Sequence, residues 1–186
     1  MQTDSQNLET HTSQKPSIFF LLGLMGTGKT YWGQALAANN NFNFIDLDTA
    51  IENNIGLPIS QIFATKGEAF FREKEAEILK FICKKTHQHT IVATGGGTPC
   101  FSDNINWMNK NGITIWLNGS IENIVERTIG AKLQRPLIAN IPNQNLYSFF
   151  ANQLQERSVF YNQSKHCLNV EKINENYLQK IINLYV

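Results

Sequence analysis

Gly23, Gly28, Lys29 and Thr30 occupy the four fixed places of the pattern G-x-x-x-x-G-K-[ST]. The chemistry of that pattern is phosphate binding. Glycines let the backbone N-H groups come close to phosphate oxygens, the lysine reaches the β- and γ-phosphates, and the hydroxyl suits Mg²⁺. Gly26, Thr27, Gly28, Lys29, Thr30 and Tyr31 are therefore the expected nucleotide contacts. Further along the chain stand Asp46 and Asp48, Arg72, the glycine run Gly95, Gly96 and Gly97, Arg135 and Arg157. Arginine presents a planar fork that pairs with a carboxylate through two hydrogen bonds. Two arginines and an acid fit an acceptor that carries both a carboxylate and hydroxyls. Asp48, Arg72, the three glycines and Arg157 are the candidates for that side, and Arg135 for closing over the nucleotide.

The elements that must position these residues can be read from pattern. Ile18 to Leu22 form an apolar run without polar alternation, as in a strand buried on both faces of a parallel sheet. YWGQALAANN then reads as a helix, so the glycine loop lies between a strand and a helix N-terminus, where phosphate is favoured. FNFIDLD reads as a second strand that delivers Asp46 and Asp48 to the same side of its C-terminal end. Thr49 to Asn54 read as a short helix stopped by Gly56 and Pro58, Ser60 as the cap of a short turn, and Glu68 to Lys85 as a longer helix. Arg72 near the start of that helix calls for an acid, with Glu75 in reach, or for an anionic ligand. HTIVATGGGTP gives a third strand, ITIWLN a fourth and CLNV a fifth. Helices are expected from Ser102 or Asp103 to Gly112, after Ser120, over Leu146 to Lys165 and over Glu175 to Val186. Gly130 to Asn145, with Lys132 and Arg135, has no steady period and reads as a lid. Residues 1–16 are polar and read as a disordered extension before a single domain over 17–186.

Each assignment has a plainer alternative. Asp46 and Asp48 also suit helix caps, Arg72 and Arg157 also suit simple ion pairs, and three glycines also suit a tight turn.

The 186 residues suit one compact domain, and a net charge of +1 gives no reason to expect nucleic acid or an anionic membrane as partner. Cys83, Cys100 and Cys167 are odd in number and widely spaced, which argues against a disulfide framework or a zinc site and for a reducing cytoplasm. No run is long enough to cross a bilayer. A monomer is expected.

GLMGTGKT followed by Gly33 and Leu36-Ala37, FIDLD, FRxxE at Phe71 to Glu75, TGGG at Thr94 to Gly97, RPL at Arg135 to Leu137 and RxxxY at Arg157 to Tyr161 resemble the shikimate kinases in order and spacing. Val159 and Phe160 depart from the Pro and Leu common there. The resemblance covers about residues 17–170. It implies an α/β fold of the nucleoside-monophosphate-kinase type, three layers with five parallel strands in the order 2-3-1-4-5 and a mobile lid at about 130–145. It implies transfer of the ATP γ-phosphate to the 3-hydroxyl of shikimate, on the route to chorismate and the aromatic amino acids. By position, Asp48 becomes the base, Arg72 and Arg157 the carboxylate clamp, and Gly96 a backbone contact to substrate. Arg127 becomes the adenine neighbour, Arg135 the lid cation, and Asp46 a Mg²⁺ holder through water beside Thr30.

Other small-metabolite kinases of this fold, such as gluconate or nucleoside monophosphate kinases, are disfavoured by FRxxE with TGGG. A GTPase is disfavoured because NKNG at Asn109 lacks the guanine-reading Asp. A non-catalytic ATP-binding homologue is the alternative of another class.

Overall fold

The computed structural model describes residues 16–130 and 136–186. Its elements are β1 (Ile18–Leu22), α1 (Lys29–Asn40), β2 (Asn43–Asp46), α2 (Leu47–Ile55), α3 (Ile59–Lys85), β3 (Thr90–Ala93) and α4 (Asn104–Asn111). They continue with β4 (Ile113–Asn118), α5 (Ile121–Ile129), α6 (Pro136–Ala139), α7 (Leu146–Tyr161), β5 (His166–Asn169) and α8 (Glu175–Ile182). The extension, apart from Pro16, and Lys132 and Arg135 of the expected lid lie outside the described residues.

The five strands form one sheet in the order β2-β3-β1-β4-β5, every pairing parallel. A parallel sheet needs cover on both faces, and the period of two along β1 divides the core accordingly. Phe19 and Leu21 pack with Leu36 and Ala37 of α1 and with Leu178, Ile181 and Ile182 of α8. Phe20 and Leu22 pack on the other face with Leu47, Ile51, Phe71, Leu79, Met108, Phe150 and Tyr161. All strand C-termini therefore point to one edge, where the phosphate loop leaves β1 and the glycine run leaves β3.

Several boundaries differ from expectation for local reasons. β2 ends at Asp46, whose side chain accepts from Thr49 N–H and starts α2, so Asp48 lies in the first turn of a helix instead of on an extended strand. Leu47, between the two acids, is fully buried and fixes that turn. Ser60 is not a cap, because α3 already begins at Ile59, whose N–H is taken by Glu52 Oε1 at 2.9 Å. Gly67 breaks α3 at φ 79°, ψ 171°, a region essentially confined to glycine, and so separates the 59–66 stretch from the long helix expected over 68–85. α7 stops at Tyr161, short of Lys165, and α8 at Ile182. The described part of the irregular segment contains α6, and Ile138 within it is fully buried. No described helix is long and apolar enough to cross a membrane.

Candidate active site

The loop after β1 turns through Gly28, at φ 87°, before α1 begins at Lys29. Left-handed backbone here costs glycine nothing and leaves the first amides of α1 facing outward. Thr27 is buried beneath the loop and donates to Leu24 O at 2.8 Å. Lys29 Nζ donates to Gly23 O at 2.8 Å and Leu24 O at 2.9 Å, so the ammonium lies over the loop it serves. Thr30 Oγ1 donates to Asp46 Oδ2 at 3.0 Å. A hydroxyl and a carboxylate so close are a hard-oxygen pair of the kind Mg²⁺ uses together with substrate phosphates. Tyr31, 66% exposed, stands at the rim edge-on to Trp32.

Asp46 fills the plainer role, Oδ1 accepting from Thr49 N–H at 3.2 Å, and leaves Oδ2 to the Thr30 hydroxyl. Asp48 is different. Burial, and then the neighbouring Asp46, push its carboxyl up to about 6, with Glu75 and Glu52 adding to the rise and Lys29 opposing it. A carboxyl placed there is close to the pH at which it can accept a proton while still being largely ionised at neutrality.

On the opposite wall, Arg72 Nη1 donates to Glu75 Oε2 at 2.9 Å, and Nε and Nη2 donate to Glu68 Oε1 at 3.2 and 3.1 Å. The expected partner is thus present, yet this is no surface pair, because Glu75 is fully buried. Thr98 Oγ1 donates to the other oxygen of Glu75 at 2.6 Å. These three bonds use three of the guanidinium's five N–H groups. Gly97 lies against this group: a Cβ built there would stand 2.7 Å from Arg72 Nη2. Gly96 lies against the other arginine, with a built Cβ 3.0 Å from Arg157 Nη1, and Gly95 against Asp48, at 2.9 Å from Oδ1. The turn is tight, as the plainer reading has it, and it is also the surface on which the three charged side chains converge. Tyr161, fully buried, donates to Gly96 O at 2.6 Å. Burial pushes its phenol well up, against the pull of Arg157, so it remains a donor.

One cleft of about 910 Å³ is lined by Gly26, Gly28, Lys29, Thr30 and Tyr31, by Asp46 and Asp48, by Arg72, by Gly95 to Gly97 and by Arg127 and Arg157. Thr27 sits behind the wall. Arg127 is on the exposed side of the last turn of α5 and still borders the cleft. Arg135 lies outside the described residues. Sequence reasoning did not find Glu52 or Phe63, which also line the cleft, or Phe101, whose ring lies 4.1 Å from Arg72 Cζ. No spacing rule marks them, since each reaches the site only through the fold. A phosphate cradle, a buried carboxyl raised to about 6 and two guanidinium groups facing one cleft can bind a triphosphate beside an organic acid and take a proton between them.

The family profile described as shikimate kinase matches residues 25–185. A shikimate kinase of Azobacteroides pseudotrichonymphae is 41% identical over 157 residues, 84% of this chain and 92% of that protein. The crystal structure of the shikimate kinase of Bacteroides thetaiotaomicron superposes with a TM-score of 0.82 at 34% identity, covering 90% of this chain and 97% of that one. The enzyme of Acinetobacter baumannii, solved with shikimate, gives 0.77 at 29% identity, covering 91% and 92%.

Proposed function

The chain belongs to the shikimate kinase family, and from that membership we propose that it transfers the γ-phosphoryl group of ATP to the 3-hydroxyl of shikimate, giving shikimate 3-phosphate and ADP. The observation that carries this reading for the chain's own residues is the convergence of Lys29, Asp48, Arg72 and Arg157 on one cleft.

Phosphoryl transfer is mainly positioning and charge neutralisation. The amides at the start of α1 and Lys29 hold the β- and γ-phosphates, for which Lys29 exchanges its bonds to Gly23 O and Leu24 O. Arg72 and Arg157 take the shikimate carboxylate, each charged hydrogen bond contributing about 1.5–3 kcal/mol. Gly96 offers backbone to the ring. Asp48 accepts the proton of the 3-hydroxyl as that oxygen bonds to the γ-phosphorus and ADP leaves, a contribution of about 10²- to 10⁴-fold. Thr30 and, through water, Asp46 would hold Mg²⁺, which would supply charge neutralisation at the phosphates. Arg127 lies against adenine and Arg135 comes down on the phosphates with a lid at about 130–145, over a single domain of 17–186 acting as a monomer in the cytoplasm.

Arg72→Ala tests the reading. Shikimate binding measured by titration calorimetry should weaken at least about 10-fold with ATP binding nearly unchanged. Equal losses for both ligands would mean that Arg72 is not an acceptor contact.

A further inference from the structure

Arg72 is held at its edges by Glu68 and Glu75, but carboxylates at the edge of a guanidinium leave its tilt free. Its face meets Phe101. The Phe101 ring centroid is 4.1 Å from Arg72 Cζ, closer than Phe71 at 5.0 Å or Phe63 at 6.0 Å. That separation places the cation over the aromatic face, within cation–π range.

Phe101 has no other evident employment. It belongs to neither buried cluster and is 37% exposed. The backbone around it is nevertheless closely specified. Asn104 N–H donates to Phe101 O at 2.9 Å across a turn whose central residues, Ser102 at φ 52° and Asp103 at φ 57°, are both left-handed, as in a type I′ turn. Asn104, fully buried, donates from Nδ2 to Thr98 O at 3.0 Å, and Thr98 Oγ1 holds Glu75. The segment that carries the ring and the carboxylate that holds the guanidinium edge are thus tied to one short turn.

We propose that Phe101 is a positioning residue for acceptor recognition, fixing through its ring face the plane in which Arg72 presents its two remaining N–H groups to the substrate carboxylate. The inference rests on the reading that Arg72 grips that carboxylate. An aliphatic side chain of similar bulk fills the same space without attracting the cation, so ring and bulk are separable by substitution.

Steady-state kinetics of the full chain tests this with Phe101→Leu, Phe101→Trp, Arg72→Ala and the double variant Phe101→Leu/Arg72→Ala. Phe101→Leu should raise KM for shikimate about 3- to 10-fold, with kcat and KM for ATP within about 2-fold of the parent. Phe101→Trp should restore the parent KM, and Phe101→Leu should add nothing when Arg72 is already Ala. Equal impairment by Leu and Trp, or a parallel rise in both KM values, would overturn the positioning role. So would an undiminished effect of Phe101→Leu without Arg72. Should Arg72→Ala itself leave KM for shikimate unchanged, the failure would be that of the proposed function; a large Arg72→Ala effect with a silent Phe101→Leu would remove this inference alone.

Discussion

Arg72 and Glu75 form an ion pair of 2.9 Å in which the carboxylate is fully buried and the arginine side chain is 15% exposed. The pair anchors the wall of the cleft that carries Arg72, with the second oxygen of Glu75 held by Thr98.

Glu75→Ala should therefore cost stability as well as binding. Removing one member of a buried pair leaves the other uncompensated, typically at about 3–5 kcal/mol, and the lower end applies because Arg72 keeps Glu68. Glu75→Gln should cost less, since its amide oxygen can still accept from Thr98. Urea midpoints of the two variants check the order; an Ala variant as stable as the parent would show the pair to be energetically neutral.

Asp48 should give a pH signature with opposite signs for activity and stability. As base it works ionised, so kcat/KM for shikimate should fall as pH drops through about 6. Its folded pKa lies above the ordinary 3.8, so the native state holds the proton more tightly than the unfolded chain. Stability contributed by the protonated form is full below about 3.8 and is lost as pH rises towards 6. At pH 7 the ionised carboxylate is thus a burden of up to about 3 kcal/mol, and Asp48→Asn should be more heat-stable while losing about 10²- to 10⁴-fold in turnover. Unchanged turnover would leave Asp48 without a role as base.

Asp46 separates capping from cation holding. Asn caps a helix about as well as Asp, whereas Ala costs about 0.5–2 kcal/mol. Asp46→Asn should unfold near the parent temperature and yet need more Mg²⁺ for half-maximal activity; Asp46→Ala should lose on both counts. A Mg²⁺ titration of activity beside a thermal melt reads both, and an unaltered Mg²⁺ requirement in Asp46→Asn would confine the residue to its cap.

Gly97→Ala should act on the acceptor alone. Its methyl would meet Arg72 at 2.7 Å from Nη2 and 3.1 Å from Cζ, and a side-chain end can move aside at small cost in stability. The displaced guanidinium loses aim, so KM for shikimate should rise about 10-fold or more with KM for ATP unchanged. Loss of ATP binding in this variant would contradict the separation of the two walls.

What the sequence made legible follows from how local each signal is. β1, β4 and the phosphate loop depend on uninterrupted apolar runs and fixed spacing, and they lie where pattern puts them. The strand order came with the family resemblance, since no periodicity encodes which strands are neighbours. FIDLD misled because its alternation continues past Asp46, while the burial of Leu47, the first residue of α2, in the core beside Phe20 and Leu22 is a tertiary fact. Ser60 misled because α3 already begins one residue before it, and the N–H groups of Gln61 and Ile62 go to Pro58 O. α7 ends at Tyr161, before its pattern does, and Asn162 to Lys165 contain neither Gly nor Pro to announce the stop. Arg72, Arg157 and Asp48 were legible as residues but their company was not: Phe101, Phe63 and Glu52 reach them across elements.

The double engagement of Asp46 has a mechanical reading. With Oδ1 fastened to the opening turn of α2 and Oδ2 to Thr30, any ion that draws on the second oxygen tugs a carboxylate already anchored to the helix that bears Asp48. On the proposed roles, arrival of the charged donor and the aim of Asp48 would thereby be yoked through a single side chain, with no intervening loop to absorb the pull.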